Sequence, residues 1–548
     1  MRRRPSRPAR STTRRRRWRA SVRASVRAVL PALTALACVV ARPTRAQSAE
    51  PPPTAPPTAP PTAVRAARSL SLLDAVRATI EHGADAQRAR LAREEAYGRL
   101  VEAAGPFDTQ LKLDVSNVRA TTPTFLADSA ALATPVAQQT SAYTVGMTRR
   151  LRSGITLDPQ IAVIRSAPTL LTPIPSGAAD VSVRVQVPLL RDRWGEVTAG
   201  AERAARDDYA ADDALYRFNV ASAVRATVNA YWDYQQAVQA VAVYRAAEER
   251  AARMVNEVRS LVNAEERPVA DLNQLLASLS IKRVNRLKAE EDVVVSWTTL
   301  SLLMAKDPAS IRNVETPSTP FPEAQPFAPD SVATATWAAA AIDTREDLAA
   351  SRHRLRALAA LDRAADGDLK PGLDLVTSLG YSTLVRSDGV DAFVAPLHRH
   401  VPGLNATVGL SYSLPVTRAT TRGRAAQQRA LLGQQETTTQ ELERGVATAV
   451  VVSAITLQAG ALSLTESAEG ARLQRQALAN ERRRYELGAS TVITVLLAED
   501  ELTSAELGAV AAHSRYAHGI ADFRFAQGTI LTNSGTALDV NLAGLLAP

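Results

Sequence analysis

No proline occurs between Pro188 and Pro268, between Pro268 and Pro308, or between Pro415 and Pro548. Those intervals are rich in Ala, Leu, Arg, Glu and Gln, all good helix formers. Proline inside a helix removes a hydrogen bond and clashes with the preceding turn. Runs this long without it predict helices far longer than the three or four turns usual in globular domains. Gly195 to Asn263, read as one helix of about 68 residues, would reach roughly 100 Å. Val220, Val224, Thr227, Tyr231, Tyr234, Val238 and Val241 recur along it at three- and four-residue spacing. That spacing is a coiled-coil seam. Polar residues fill much of the remainder, which argues against membrane helices.

Segments of another period interrupt the helices. Leu111, Leu113 and Val115 alternate with Lys112, Asp114 and Ser116. Val181, Val183, Val185 and Val187 alternate with Ser182, Arg184 and Gln186. Leu404, Ala406, Val408, Leu410 and Tyr412 form a third set, and Leu373, Leu375, Thr377, Leu379 and Tyr381 a fourth. Two further candidates are Tyr143–Leu151 and Ile155–Ile164. Period two puts one apolar and one polar face on each strand. Half-buried soluble sheets alternate in the same way. For a secreted chain without a spanning helix, a closed barrel in the outer membrane is the better reading, because only closure satisfies strand backbone in lipid. "SGAAD" and "RSDGVDAF" are expected as exposed loops.

The secreted character comes from the N-terminus. Residues 1–46 carry fourteen arginines and no acidic residue or lysine, and the apolar run Ala28–Ala41 follows them. That run falls short of the ~20 apolar residues a spanning helix needs. With the small-residue site Thr44-Arg45-Ala46 it reads as a signal peptide over 1–46. A basic nucleic-acid-binding arm would leave the apolar run unexplained. Removing fourteen arginines leaves 51 basic against 55 acidic residues, so the +10 of the whole chain becomes −4. Nucleic acid is not implied as a partner. Cys38, the only cysteine, excludes an intramolecular disulfide and a cysteine metal cluster. It is also the candidate lipidation position, but Ala35 stands where a lipoprotein box wants leucine, so cleavage near Ala46 without an acyl chain is expected. The proline-rich stretch over 47–68 reads as an extended spacer.

The body is written twice. The segment from Ala75 aligns with the segment from Ala338, matching Ile80 to Ile342, Asp85 to Asp347 and Leu111 to Leu373. "PVADLNQLLASL" from Pro268 matches "TVITVLLAEDEL" from Thr491. Each unit is helix, strands, very long helix, turn, helix. The units are 69–306 and 332–531, joined by a proline-rich linker over 307–331 and followed by a tail over 532–548. The two turns differ in chemistry. One breaks at Gly488, which permits a left-handed helix end. The other places Pro268 at the start of the returning helix, where proline is favoured.

At these residues the chain resembles the TolC-like outer-membrane efflux proteins. "SLLDAVRATIEHGADAQRARLAREEAYGRL" is similar to the family's opening helix and "VQVPLLRDRWG" to its strand exit. "NAYWDYQQA" is similar to the middle of its long helix and "YELGASTVITVLLAEDEL" to its tip. The resemblance covers about residues 69–531. It implies an α+β membrane protein: a homotrimer with an outer-membrane β-barrel continued by a periplasmic α-helical coiled-coil barrel. It implies an exit duct for efflux or type I secretion, docked to a periplasmic adaptor protein and an inner-membrane transporter, with outer-membrane lipid around the barrel. The family commonly has four strands per protomer, and the candidates at 143–151 and 155–164 exceed that number. Carried onto this chain, the adaptor-facing tip is Arg267, Pro268, Asp271, Tyr485, Gly488 and Ser490. Two aspartates that form a cation-attracting ring in well-known members fall at Thr494 and Leu497. An apolar constriction at Thr494 and Leu497, with Asp271 as the alternative, is therefore expected. Packing of Leu497 between helices is the plain alternative.

Catalytic residues, cofactors and a metal are not expected. His82, His353, His398, His400, His513 and His518 are scattered, and His513 and His518 are five apart, poorly placed for one helix face. No phosphate loop or nucleophile motif occurs. Glu499 and Glu501 read as a solvated face. The rival from another class is a periplasmic adaptor or coiled-coil scaffold, which would have one hairpin and compact β-domains.

Overall fold

The computed structural model describes residues 69–124, 134–167, 175–386, 390–398, 403–534 and 537–547. The chain divides into two units, Met1–Arg65 and Ala66–Pro548, and every described residue lies in the second. The signal peptide, Cys38, the spacer and His400 lie outside the described residues. In chain order the first half runs α1 (Leu72–His82), α2 (Ala84–Ala104), β1 (Gln110–Thr124), β2 (Thr134–Arg150), β3 (Thr156–Ser166), β4 (Ser176–Pro188), α3 (Gly200–Asn263) and α4 (Val269–Leu303). The second half runs α5 (Ser331–Thr344), α6 (Glu346–Asp368), β5 (Gly372–Arg386), α7 (Asp391–His398), β6 (Leu404–Ser413), α8 (Ala419–Glu486) and α9 (Val492–Ala526). A hairpin of Leu531–Ser534 with Ala537–Val540 and the short α10 (Leu542–Leu546) follow.

The proline-free intervals are helices. α3 has 64 residues and α8 has 68, each about 100 Å at 1.5 Å per residue. The two returning helices, α4 and α9, are 35 residues each. The predicted seam is buried except at half-buried Val238: Val241 is buried, and Val220, Val224, Thr227, Tyr231 and Tyr234 are all inaccessible. They pack with Leu72 and Val76 of α1, Trp297 and Leu300 of α4, and Ala517 and Ala521 of α9. Burying each large apolar side chain stabilises by about 1.5–3 kcal/mol. The tyrosine hydroxyls find carbonyls, Tyr231 at Leu70 and Tyr234 at Glu315, which removes the cost of burying them. α4 packs on α3, α3 on α9 and α9 on α8. The long helices thus lie in the order α4–α3–α9–α8, with α4 and α8 outermost, and α8 also packs on α5 and α6.

Both outermost long helices carry exposed apolar residues. Ile281, Val284, Val295 and Leu302 stand exposed along α4, and Val452, Ile455 and Leu462 along α8. By length and composition α8 also contains a stretch apolar enough to cross a membrane, about a third of it buried.

All six long strands form one antiparallel sheet in sequence order, β1-β2-β3-β4-β5-β6. Direct pairing sets Leu113, Val145, Ile161, Val181, Tyr381 and Leu404 side by side across it. The neighbouring row on the other face is Lys112, Gly146, Gln160, Ser182, Gly380 and Asn405. One face is therefore apolar and the other small or polar. Both additional candidate strands are in the sheet. Among the described residues the sheet is open, with β1 and β6 unpaired on their outer sides.

Four expectations change. Ser176–Asp180 ("SGAAD") is the first part of β4 rather than a loop. Of "RSDGVDAF", Arg386 ends β5, and Asp391, Ala392 and Phe393 open α7, which packs on the apolar face near its outer end. The predicted helix start at Gly195 is a tight turn with Asp192, Trp194 and Gly195 at positive φ, and α3 begins at Gly200. The linker over 307–331 is a packed strap. Its Thr316–Pro317 pairs with Ser69–Leu70, and Phe321 stacks on Trp232 at 5.3 Å and on His513 at 5.6 Å.

Candidate functional site

The tip is where the ends of α3 and α8 and the starts of α4 and α9 converge. Val258, Leu275, Leu478, Val492 and Val495 form its buried core. Two five-residue links close it, 264–268 and 487–491, and their backbones correspond residue for residue. Glu265 and Gly488 are both left-handed, at φ 63° and 74°. Glu265 N donates to Val262 O and Glu266 N to Leu261 O, at 3.0 and 2.9 Å. Gly488 N donates to Tyr485 O and Ala489 N to Arg484 O, at 3.0 and 2.8 Å. This is the helix end that satisfies the last free carbonyls. Gly488 is the residue type this conformation favours, while Glu265 adopts it at a cost.

The predicted tip residues are brought together in two groups. Arg267 holds its guanidinium carbon 4.8 Å from the Tyr485 ring centre, a cation–π contact that joins the first link to α8. Burial raises the Tyr485 hydroxyl pKa; the Arg267 charge opposes this and Asp271 adds to it. That hydroxyl has no hydrogen-bond partner among the described residues. Pro268 is the N-cap residue of α4, with extended backbone. In the second group Ser490 bonds to Glu481 and, at 2.5 Å, to Thr494. The Ser490 hydrogen bond first, then Thr494 and the Arg484 charge, hold the Glu481 carboxyl below its usual range against its desolvation. Thr491 caps α9 through a capping box with Thr494. Thr494 is thus committed to the helix start. Leu497 is 58% exposed, so within one chain it does not pack between helices.

Sequence reasoning missed a charged lock just above this tip. Glu499 is 4% exposed, not on a solvated face. Arg250 of α3 donates to one of its carboxylate oxygens at 2.8 Å, and Arg482 of α8 to the other. Glu506, about two helical turns further on, is held by Arg475 at 2.7 Å. Lys282 of α4 bonds to Asp500. The signal was present: Val492, Val495, Glu499 and Leu502 fall at seam spacing, which puts the acid on the buried face.

The junction between sheet and helices is the other built feature. Asp192 accepts from Val197 N and Thr198 N, at 2.8 and 2.6 Å. The turn between β2 and β3 docks against it. Arg152 of that turn makes a bidentate pair with buried Glu202, at 2.6 and 2.8 Å. This pairing, through its hydrogen bonds first, lowers the Glu202 carboxyl pKa. Gly195 lies so close that a Cβ there would sit 1.7 Å from the Arg152 carbonyl oxygen. Among the described residues no group of acidic, His or Cys side chains is arranged to hold a metal.

Residues 337–529 match the family model described as outer membrane efflux protein. Solved channels share the fold. The outer membrane channel CmeC of Campylobacter jejuni aligns at TM-score 0.61 and 15% identity, covering 84% of this chain and 85% of its own. The outer membrane protein VceC of Vibrio cholerae aligns at 0.61 and 16%, covering 83% and 96%. The open state of the MtrE outer membrane channel of Neisseria gonorrhoeae aligns at 0.58 and 17%, covering 85% and 93%. No match is found among curated protein sequences. The resemblance to TolC-like outer-membrane efflux proteins is borne out by the family model and by the fold together.

Proposed function

We propose that this outer membrane efflux protein is the exit duct of a tripartite efflux or type I secretion system. Three copies close into one pore, with the six-stranded sheet in the outer membrane and the long helices crossing the periplasm. The observation that carries this is the open arc. Among the described residues two sheet edges are unpaired, and the sheet and the outermost long helices both expose apolar side chains. Unpaired strand edges are not tolerated in lipid, so further copies must close the sheet. The two halves of the chain are one unit duplicated, as their matching 35-residue helices and matching links support. The links at 264–268 and 487–491, with Arg267, Tyr485 and Ser490 beside them, form the surface for a periplasmic adaptor, and an inner-membrane transporter supplies the cargo. Leu497, exposed beside the capping Thr494, is the candidate constriction. The test is fractionation of the mature protein: it should separate with the outer membrane as a detergent-stable trimer. Recovery as a soluble monomer would refute the duct.

A further inference from the structure

We propose that β2 and β3 are wall strands, so that each copy gives six strands and three copies close an eighteen-stranded barrel. This rests on the trimeric duct proposed above and departs from the four strands per copy that the resemblance implies. The alternative is that β2 and β3 lengthen a hairpin standing outside the membrane. Their inner turn decides between the two. It reaches the helix end of the sheet and docks on the start of α3, through Arg152 to Glu202 at 2.6 and 2.8 Å and the close approach of Gly195. An external extension would turn back before that level.

The faces agree. The apolar row Leu113, Val145, Ile161, Val181, Tyr381, Leu404 runs unbroken through β2 and β3, and so does the polar row on the reverse face. Val145 and Ile161 remain 37% and 40% exposed within the chain. An apolar face standing in water would forgo roughly 25 cal/mol per Å² of burial. The height also fits. On β5 the uncovered apolar positions run from Leu373 to Tyr381, eight steps or about 27 Å along the strand. At a tilt of about 40° this spans about 21 Å, close to the ~25 Å apolar band of outer-membrane barrels. α7 covers the next row outward, where Tyr143 donates to Phe393 O at 2.8 Å and Thr383 to Pro396 O at 2.6 Å. Exposed Trp194 and Tyr412 stand at the helix end, where aromatic residues mark the membrane interface. Ile161 lies inside that band.

Closure follows from parity. Six is even, so β1 and β6 run antiparallel and the edge of one copy can pair with the opposite edge of the next. Such a head-to-tail contact closes into a ring when the rotation allows. The occupant of the free edges is therefore a second copy of this chain. At equal tilt, diameter grows in proportion to strand number. Eighteen strands instead of twelve widen the lumen about 1.5-fold and its cross-section about 2.2-fold. The inward residues that β2 and β3 add include Thr144, Gly146, Gln160 and Ala162, with Asp158 beside Arg184 nearer the helix end. The exit is thus wide and lined by polar residues, suited to bulky hydrated cargo.

The test uses the full chain carrying Cys38→Ser, with single cysteines spin-labelled in the outer-membrane trimer. Met147→Cys and Ile161→Cys probe the apolar face; Gly146→Cys and Gln160→Cys probe the polar face. Val183→Cys and Ser182→Cys on β4 are the reference pair. The expected result is that labels at 147 and 161 collide with oxygen in preference to a water-soluble nickel chelate, matching 183. Labels at 146 and 160 show the inverse preference, matching 182. Chelate access at all four positions, in a trimer whose reference pair behaves as stated, overturns the six-strand wall and leaves the duct standing. A soluble monomer overturns both. Where a labelled variant fails to assemble, Val145→Cys and Thr144→Cys read the same two faces from β2.

Discussion

Removing the Glu499 carboxylate should loosen the tip without disturbing the sheet. Glu499 ties α9 to both α3 and α8, through Arg250 and Arg482, and Glu506 of the same helix approaches Arg250 at 3.8 Å. Its side chain is 6% exposed, Arg250's 14% and Arg482's 37%. Taking one partner from a buried pair costs about 3–5 kcal/mol, because the remaining charge stays buried and unpaired. Glu499→Gln leaves Arg482 and Arg250 against a neutral amide, with Glu506 still 3.8 Å from Arg250. The partial exposure of Arg482 lets water recover part of the loss, so the low end, about 3 kcal/mol per copy, applies. That corresponds to roughly a hundredfold rise in local opening, at 1.4 kcal/mol per tenfold. The assay is native-state hydrogen exchange on the detergent-solubilised trimer. Amides of residues 492–503 should lose about a hundredfold of protection, while those of the six strands keep theirs. The resting single-channel conductance should rise in parallel. Unchanged exchange over 492–503 in Glu499→Gln would refute the lock, as would equal loosening throughout the molecule.

Gly488→Trp keeps trimer and barrel but weakens adaptor docking and transport, since φ 74° is strained for tryptophan and the link is exposed; loss of trimer on native gels would contradict this. Glu265→Gly relieves the same strain in the first link and should raise tip stability by about 1 kcal/mol, read as slower exchange over 258–272; faster exchange would show that the Glu265 side chain is needed there. Leu497→Asp should raise resting conductance and confer block by multivalent cations, with trimers still forming; a normal trimer with unchanged conductance and block would remove Leu497 as the constriction and shift attention to Asp271. Burial alone would lower the His518 pKa, but its hydrogen bond and ion pair with Asp233 and its bond to the Asn229 carbonyl raise it overall. A raised folded pKa stabilises fully below the unfolded value near 6.5, and the gain is lost as pH rises through the folded value. Unfolding should therefore become easier from mildly acidic to alkaline pH, and His518→Gln should flatten that slope; an unaltered slope would place the titration elsewhere.

Much of this molecule was legible because its elements are long and regular. The seam from Val220 to Tyr234 is fully buried as its spacing required. The strands were visible wherever apolar and polar residues alternate. Where alternation lapses, the strand was invisible: Ser176–Asp180 is a run of small residues, and the outer part of β2 runs Val136-Ala137 and then Gln138-Gln139 instead of alternating. α7 was hidden because it is eight residues long and contains Pro396. The strap over 307–331 looked like a spacer because proline forbids helix there, yet its Phe321 is fixed by two aromatic faces from other segments. At the tip, Arg267 and Tyr485 were named but their contact was not, since it joins residues over two hundred positions apart. Glu499 was misjudged on type: acids are usually solvated, but its position in the seam outweighed that habit.

The two links bear on how such a tip opens. The same left-handed backbone recurs at Glu265 and Gly488, and again after the returning helices at Ala305 and Gly528, with φ of 53° and 73°. Only the second half uses glycine. A non-glycine residue in that conformation costs about 1–2 kcal/mol, and the first half bears it twice. The conformation is therefore imposed by what surrounds it: the paired helix-end hydrogen bonds and a core in which Val258, Leu275, Val492 and Val495 meet. A link held so firmly is a poor hinge. We infer that the tip opens by separation of helix pairs along the α3–α9 seam, where Glu499 and Arg250 hold it, and that both links travel as rigid caps. In the exchange experiment on Glu499→Gln, protection should then fall on the facing sides of α3 and α9 while the link amides at 265–266 and 488–489 stay as in the parent. Loss confined to those four amides would mean that the links bend and the seam does not.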